Sequence, residues 1–119
     1  MKIELCEAPF NPLEALADYQ ANLMEWRGKY GATAVFIGTM RDFNETDCIQ
    51  SMQLEHYPGM TERHLQDIVA AARNQWGFLD ALLIHRVGTL YPSDPIVLVA
   101  VWSAHRAAAS KPAASSWKR

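Results

Sequence analysis

A chain of 119 residues, half of them hydrophobic and a fifth charged, has the composition of one soluble globular domain, large enough for a real core but not for a second domain. The formal net charge of −2 excludes a general basic surface for nucleic acid, so an anionic ligand would have to be met by a few local cations. Cys6 and Cys48 are the only cysteines, and their separation supports neither a disulfide framework nor a zinc site. With no long apolar segment and no signal-peptide pattern, the expected location is the cytoplasm.

Lys2 to Glu7 alternates charged and apolar residues, which predicts a half-exposed strand. Asn11-Pro12-Leu13-Glu14 supplies a helix start, with Asn as N-cap, Pro at the first helical position and Glu where it can answer the cap. This helix is expected to run to about Met24. Gly28 and Gly31 punctuate the turn into Thr33–Met40, a buried strand, which is followed by a polar loop from Arg41 to Asp47. Ile49 to His56 is a further strand, broken by Pro58-Gly59. Thr61 is the expected cap of a second helix, in which Leu65, Ile68, Val69, Ala72 and Trp76 form a core-facing stripe that Gly77 ends. Ala81–Val87 is a strand, Gly88–Asp94 a turn, and Pro95–Ala104 the last strand. The short link between those two strands requires them to be antiparallel. The fold class is therefore α+β, a mixed or antiparallel sheet with helices packed on it.

Two strand ends carry the residue types that could do chemistry. Arg41 follows one buried strand and His105-Arg106 follows another; if those ends are neighbours, three donors converge on an anion. The alternative is that each arginine is a solvated strand-end residue. Glu55-His56-Tyr57-Pro58-Gly59-Met60-Thr61 joins a strand to a helix start, where free N–H groups could receive an anion or Tyr57 could simply pack the corner. His85 shares a strand face with Leu83 and Val87 and reads as a structural histidine. The sequence contains no Gly-x-Ser-x-Gly elbow, no phosphate-cradling Gly-Lys-Ser/Thr loop and no His-x-x-x-His pair, which leaves a metal-independent site built from Arg and His, with no cofactor.

Four segments in order carry a specific resemblance: Phe36-Ile37-Gly38-Thr39-Met40-Arg41, Leu54-Glu55-His56-Tyr57-Pro58-Gly59-Met60-Thr61-Glu62, Ile84-His85-Arg86-Val87-Gly88 and Ser103-Ala104-His105-Arg106. With them the chain resembles the large, catalytic subunit of molybdopterin synthase. The resemblance implies a hammerhead-like α+β fold and a sulfur transfer in molybdenum cofactor biosynthesis. Sulfur arrives as a thiocarboxylate on the Gly-Gly tail of a small ubiquitin-like subunit and converts cyclic pyranopterin monophosphate (precursor Z) to molybdopterin. It further implies a homodimer of large subunits within a heterotetramer. Arg41, His105 and Arg106 then look like the pocket for the pterin phosphate and the incoming tail, with Phe36 in the same pocket and Thr39 and Met40 along its approach.

Residues 1–109 follow the family pattern, and 110–119 depart from it. In the family, His-Arg is followed by a helix and a Lys-x-Arg-Ala-Pro-x-Trp-Lys-type segment whose lysines are the residues most tied to catalysis. Ala107-Ala108-Ala109 fits the start of that helix, but Pro112 is expected to break it. Deleting one base from codons for a family-like peptide reproduces Ser110 to Lys118, so the expectation is a frameshifted tail, a lost C-terminal helix and an inactive chain. The other reading is a non-catalytic module that binds a ubiquitin-like Gly-Gly tail.

Overall fold

The strand Pro95–Ser103 is apolar from Ile96 to Trp102, a run that suits burial on both faces, and every one of these seven side chains is buried. It is accordingly central. In the computed structural model, which describes residues 1–41, 51–105 and 112, the elements are β1 (Lys2–Cys6), α1 (Pro12–Ala21), β2 (Ala32–Thr39), β3 (Met52–Leu54), α2 (Met60–Trp76), β4 (Asp80–Arg86), β5 (Gly88–Leu90) and β6 (Pro95–Ser103). A four-stranded sheet has the order β1-β4-β6-β2, with β1 parallel to β4 and the other two pairings antiparallel, and β3 pairs with β5 in a separate two-stranded ribbon. The α+β class with a mixed sheet is the one the sequence implies.

Alternation along the two central strands divides the core. Leu83, Val97, Val99 and Val101 face the stripe Leu65, Val69 and Ala72 of α2, while Leu82, Ile84, Leu98, Ala100 and Trp102 face Leu16 and Tyr19 of α1. Among the described residues the sheet therefore lies between α1 on one side and α2 on the other. On the α1 side the Tyr19 hydroxyl donates to buried Asp80 at 3.1 Å, and the same carboxylate accepts the Ala81 N–H and pairs with the Met1 ammonium. Burial first, and then the Asp80 charge, push the Tyr19 phenol above its ordinary pKa, so it remains a donor.

Asn11 caps α1 as expected, its side chain accepting the Leu13 and Glu14 N–H groups, but the helix stops at Ala21, short of Met24. There the chain tightens into turns from Asn22 to Tyr19 and Leu23 to Gln20, which bury Leu23 in the core. The second helix starts two residues earlier than its expected cap. Gly59 is the N-cap, at φ 82°, and its N–H donates to Glu62 Oε1 at 2.8 Å, while the Thr61 hydroxyl instead accepts the Tyr57 N–H. A glycine takes that backbone conformation without the steric penalty of a Cβ. The interval read as a turn from Gly88 to Asp94 contains β5, and only Tyr91 to Asp94 turns. β3 begins at Met52; Ile49 and Gln50 of the expected strand lie outside the described residues. Pro112, the one described residue of the tail, takes helical conformation and is fully buried, and the residues on either side that would show a helix break lie outside the described residues. Proline's fixed φ is itself helical, and it disrupts a helix only where its missing N–H and its ring are in the way.

Glu62 also makes the helix start sensitive to pH. Hydrogen bonds from its own N–H and then from Gly59 N–H, with His56 Nε2 at 3.6 Å, hold its carboxyl below the usual value. A lowered folded pKa stabilises the fold above the unfolded value and loses that contribution as pH falls through the folded one. Glu62→Ala is thus expected to lower the thermal midpoint at pH 7, and the gap to the parent chain to shrink on acidification below pH 4. A gap that stays constant across a melting series from pH 7 to pH 3 would contradict this account.

Candidate functional site

The exit of β2 is built by a break in register. Gly38 pairs with Val97 but Thr39 pairs with Pro95, so Ile96 is an extra residue on β6 and the ladder bulges there. A bulge bends the strand and re-aims the residues that follow. Immediately beyond it, the Met40 N–H donates to Asp94 O at 2.9 Å and Met40 O accepts the Ser93 N–H at 2.7 Å. Met40 is 4% exposed and packs into the core on the α2 side, and Phe36 packs half-buried against the same cluster. Thr39 and Arg41 are exposed, so Arg41 leaves a firmly held strand end toward solvent.

His105 is elsewhere. The β2–β6 pairing is antiparallel, with Ala32 opposite Ser103 and Thr39 opposite Pro95. The seven residue steps between those pairs on β2, eight on the bulged β6, at about 3.3 Å each, separate the Arg41 end from the His105 end by roughly 25 Å. Within one chain the two strand ends are therefore not neighbours. At the far end, Gly31 N–H donates to Ser103 O, and a Cβ on Gly31 would come within 2.8 Å of Ala104 O. His105, exposed, follows this close crossing and donates its backbone N–H to the Ser103 hydroxyl. Arg106, Cys48 and the Asp42–Asp47 part of the polar loop lie outside the described residues.

The corner at Glu55–Thr61 disfavours anion binding, and Tyr57 does not pack it either, being 59% exposed with its hydroxyl donated to Glu55. A cavity of about 400 Å³ there is lined by Glu7 and Glu55 as well as His56 and Tyr57, and the α2 N-terminus is already met by Glu62. Two carboxylates make a poor home for an anion. His85 is half-buried, and its Nδ1 lies 2.7 Å from Arg86 O, in keeping with a structural role. Among the described residues no group of three or more His, Cys, Asp or Glu could hold a metal ion. No helix among them is long and apolar enough to cross a membrane.

One cation near the Arg41 end was not singled out from the sequence. Arg86 closes β4 with only 2% of its surface exposed, and its Nη2 donates to Glu7 O at 3.2 Å and Thr89 O at 2.9 Å. Its Nη1 lies 4.0 Å from Asp94 Oδ2. The available signal was a charged residue inside the apolar stretch Ala81–Val87, where burial on both faces demands dedicated partners.

Comparison with known proteins identifies the family and the fold. The family model described as MoaE protein matches residues 7–116. The chain belongs to that family. The MoaE chain from Burkholderia ambifaria superposes with a TM-score of 0.82 and 37% identity, covering 98% of this chain and 73% of that one. Molybdopterin synthase from Staphylococcus aureus superposes with a TM-score of 0.74 and 28% identity, covering 95% and 75%. The molybdopterin synthase catalytic subunit of Ralstonia nicotianae is 57% identical over 86 residues, which are 72% of this chain and 49% of that protein. The chain thus spans about half the length of the curated relatives it matches.

Proposed function

We propose that this chain is a catalytic-subunit homologue of molybdopterin synthase. Its reaction is sulfur transfer from the thiocarboxylated C-terminus of a small ubiquitin-like subunit to cyclic pyranopterin monophosphate, in the cytoplasm. The observation that carries the reading is family membership across residues 7–116 together with the exposed arginine at the bulged exit of β2. The phosphorylated pterin and the thiocarboxylate are both anionic, and a positioned guanidinium lowers the repulsion between them and stabilises charge that develops during acyl transfer. In this reading Arg41 and the exposed Thr39 line the approach to the anion, with half-buried Phe36 and buried Met40 behind them in the core, and the family pattern assigns His105 and Arg106 to the same pocket.

The opposite placement of Arg41 and His105 supports the homodimer. A second copy related by a two-fold axis beside the edge strand β2 runs its own β2 antiparallel to the first. Arg41 of one copy then approaches the end of the other sheet, where Ala32 neighbours Ser103 and the chain continues to His105. Each pocket is shared between two chains. A generic phosphate-binding domain, the alternative suggested by distant strand ends, does not account for the family match.

The tail Ser110–Arg119 lacks the family's lysine segment, and we propose that it arises from a frameshift; if no downstream frame of the gene encodes the helix and lysines, that origin fails. A polypeptide of these 119 residues is expected to bind the pterin weakly and to form no dithiolene with a thiocarboxylated partner. Product detected by mass spectrometry would overturn the inactive reading. Capture of the partner without product would instead favour the module that docks a Gly-Gly tail.

A further inference from the structure

We infer that Arg86 is a positioning residue for the anion site, acting through Asp94 and Met40 on Arg41; the inference rests on the reading that Arg41 meets the substrate's phosphate. Arg86 has no access to a ligand, being 2% exposed, and its guanidinium is spent on the interior. Nη2 ties the exit of β1 at Glu7 to β5 at Thr89, and Nη1 faces the Asp94 carboxylate. That carboxylate in turn accepts the Tyr91 N–H at 2.9 Å, and Asp94 N–H returns to Tyr91 O, so the turn is closed on both sides. Ser93 within it has φ 76°, a conformation that a non-glycine residue keeps only where its surroundings hold it.

The closed turn grips Met40 from both directions, through Asp94 O and Ser93 N–H, and Met40 immediately precedes Arg41. A buried charge thus sets the backbone from which the exposed charge projects. Among the described residues Nε and Nη1 of Arg86 have no hydrogen-bond partner, and the Asp94 carboxylate is the counter-charge within ion-pair reach, so the arrangement depends on it. Lysine does not reproduce this group, because the planar guanidinium sets Nη2 on Glu7 O and Thr89 O and a second nitrogen, Nη1, toward Asp94, whereas an ammonium offers one nitrogen in place of the two.

The test uses the full chain, the three single variants Arg41→Ala, Asp94→Asn and Arg86→Lys, and the two double variants that combine Arg41→Ala with each of the others. Amide hydrogen exchange reads the linkage directly. Asp94→Asn and Arg86→Lys are expected to speed exchange at Met40 about tenfold or more while leaving Val99, in the middle of β6, unchanged. Equilibrium titration with cyclic pyranopterin monophosphate reads its consequence. Each of the two variants is expected to weaken binding about five- to tenfold, and neither to add a further loss in the Arg41→Ala background. Unchanged Met40 exchange, or losses that add to that of Arg41→Ala, would overturn the positioning role alone. An Arg41→Ala chain that binds as well as the parent would overturn the phosphate reading, and with it the inference. Should Arg86→Lys fail to fold, Asp94→Asn, whose carboxylate is partly exposed, decides the question.

Discussion

Trp102→Ala is expected to remove about 3–5 kcal/mol of stability, the range for deleting a large aromatic side chain from a packed core. Trp102 is 0% exposed in the central strand, and its ring lies 5.4 Å from that of Tyr19 at a 36° tilt. Through Tyr19 the contact reaches the buried carboxylate of Asp80, so the loss touches α1, β4 and β6 together. Small domains have only about 5–15 kcal/mol in total, and the alanine variant therefore keeps little margin. Trp102→Phe should be far milder, below about 1.5 kcal/mol, because the aromatic volume is largely retained. Among the described residues the indole Nε1–H has no hydrogen-bond partner, so no such bond is lost with it. Urea denaturation of both variants checks the pair of values. A loss under 1 kcal/mol for alanine, or a phenylalanine variant as damaged as alanine, would refute this account of the core.

The elements best read from sequence are those whose signal is local. Asn11-Pro12-Glu14 and Gly77 mark helix boundaries through their own backbone chemistry, and the α2 stripe and the apolar run of β6 identify their buried faces. Errors arose where two local signals compete. Thr61 and Gly59 both suit a helix start, and the contest is decided by Glu62 reaching back to Gly59 N–H while Tyr57 N–H takes the threonine hydroxyl. β5 is only three residues long and opens on Gly88 at φ 87°, so its strand character comes from pairing with the distant β3 and not from its own composition. Long-range order was least legible. Sequence identified Arg41 and His105 as strand-end residues, but whether two strand ends meet depends on sheet order and direction, which no local pattern encodes. Arg86 was hidden for a related reason: its partners, Glu7 O, Thr89 O and Asp94, converge only in the folded chain.

That separation of Arg41 from His105 leads to the sharpest functional expectation. If each pocket draws Arg41 from one chain and His105 from the other, Arg41→Ala and His105→Ala homodimers should each lose pterin-phosphate binding, by about tenfold or more for a charge-assisted contact. Unfolding and refolding the two variants together in equal amounts makes half of the dimers mixed. Each mixed dimer then holds one pocket with both native residues and one with neither, so about a quarter of the parent's sites should return at parental affinity. Binding stoichiometry measured by calorimetry reads that fraction, and sedimentation checks that dimers have formed. A pocket confined to one chain predicts a different result, since no mixture of the two variants can then restore a single intact site. The roughly 25 Å between the two ends of the β2–β6 pair makes such a confined pocket geometrically unfavourable for one small ligand. Zero recovery in a mixture shown to contain dimers would exclude the shared pocket, whereas recovery near a quarter would assign Arg41 and His105 of each site to different chains.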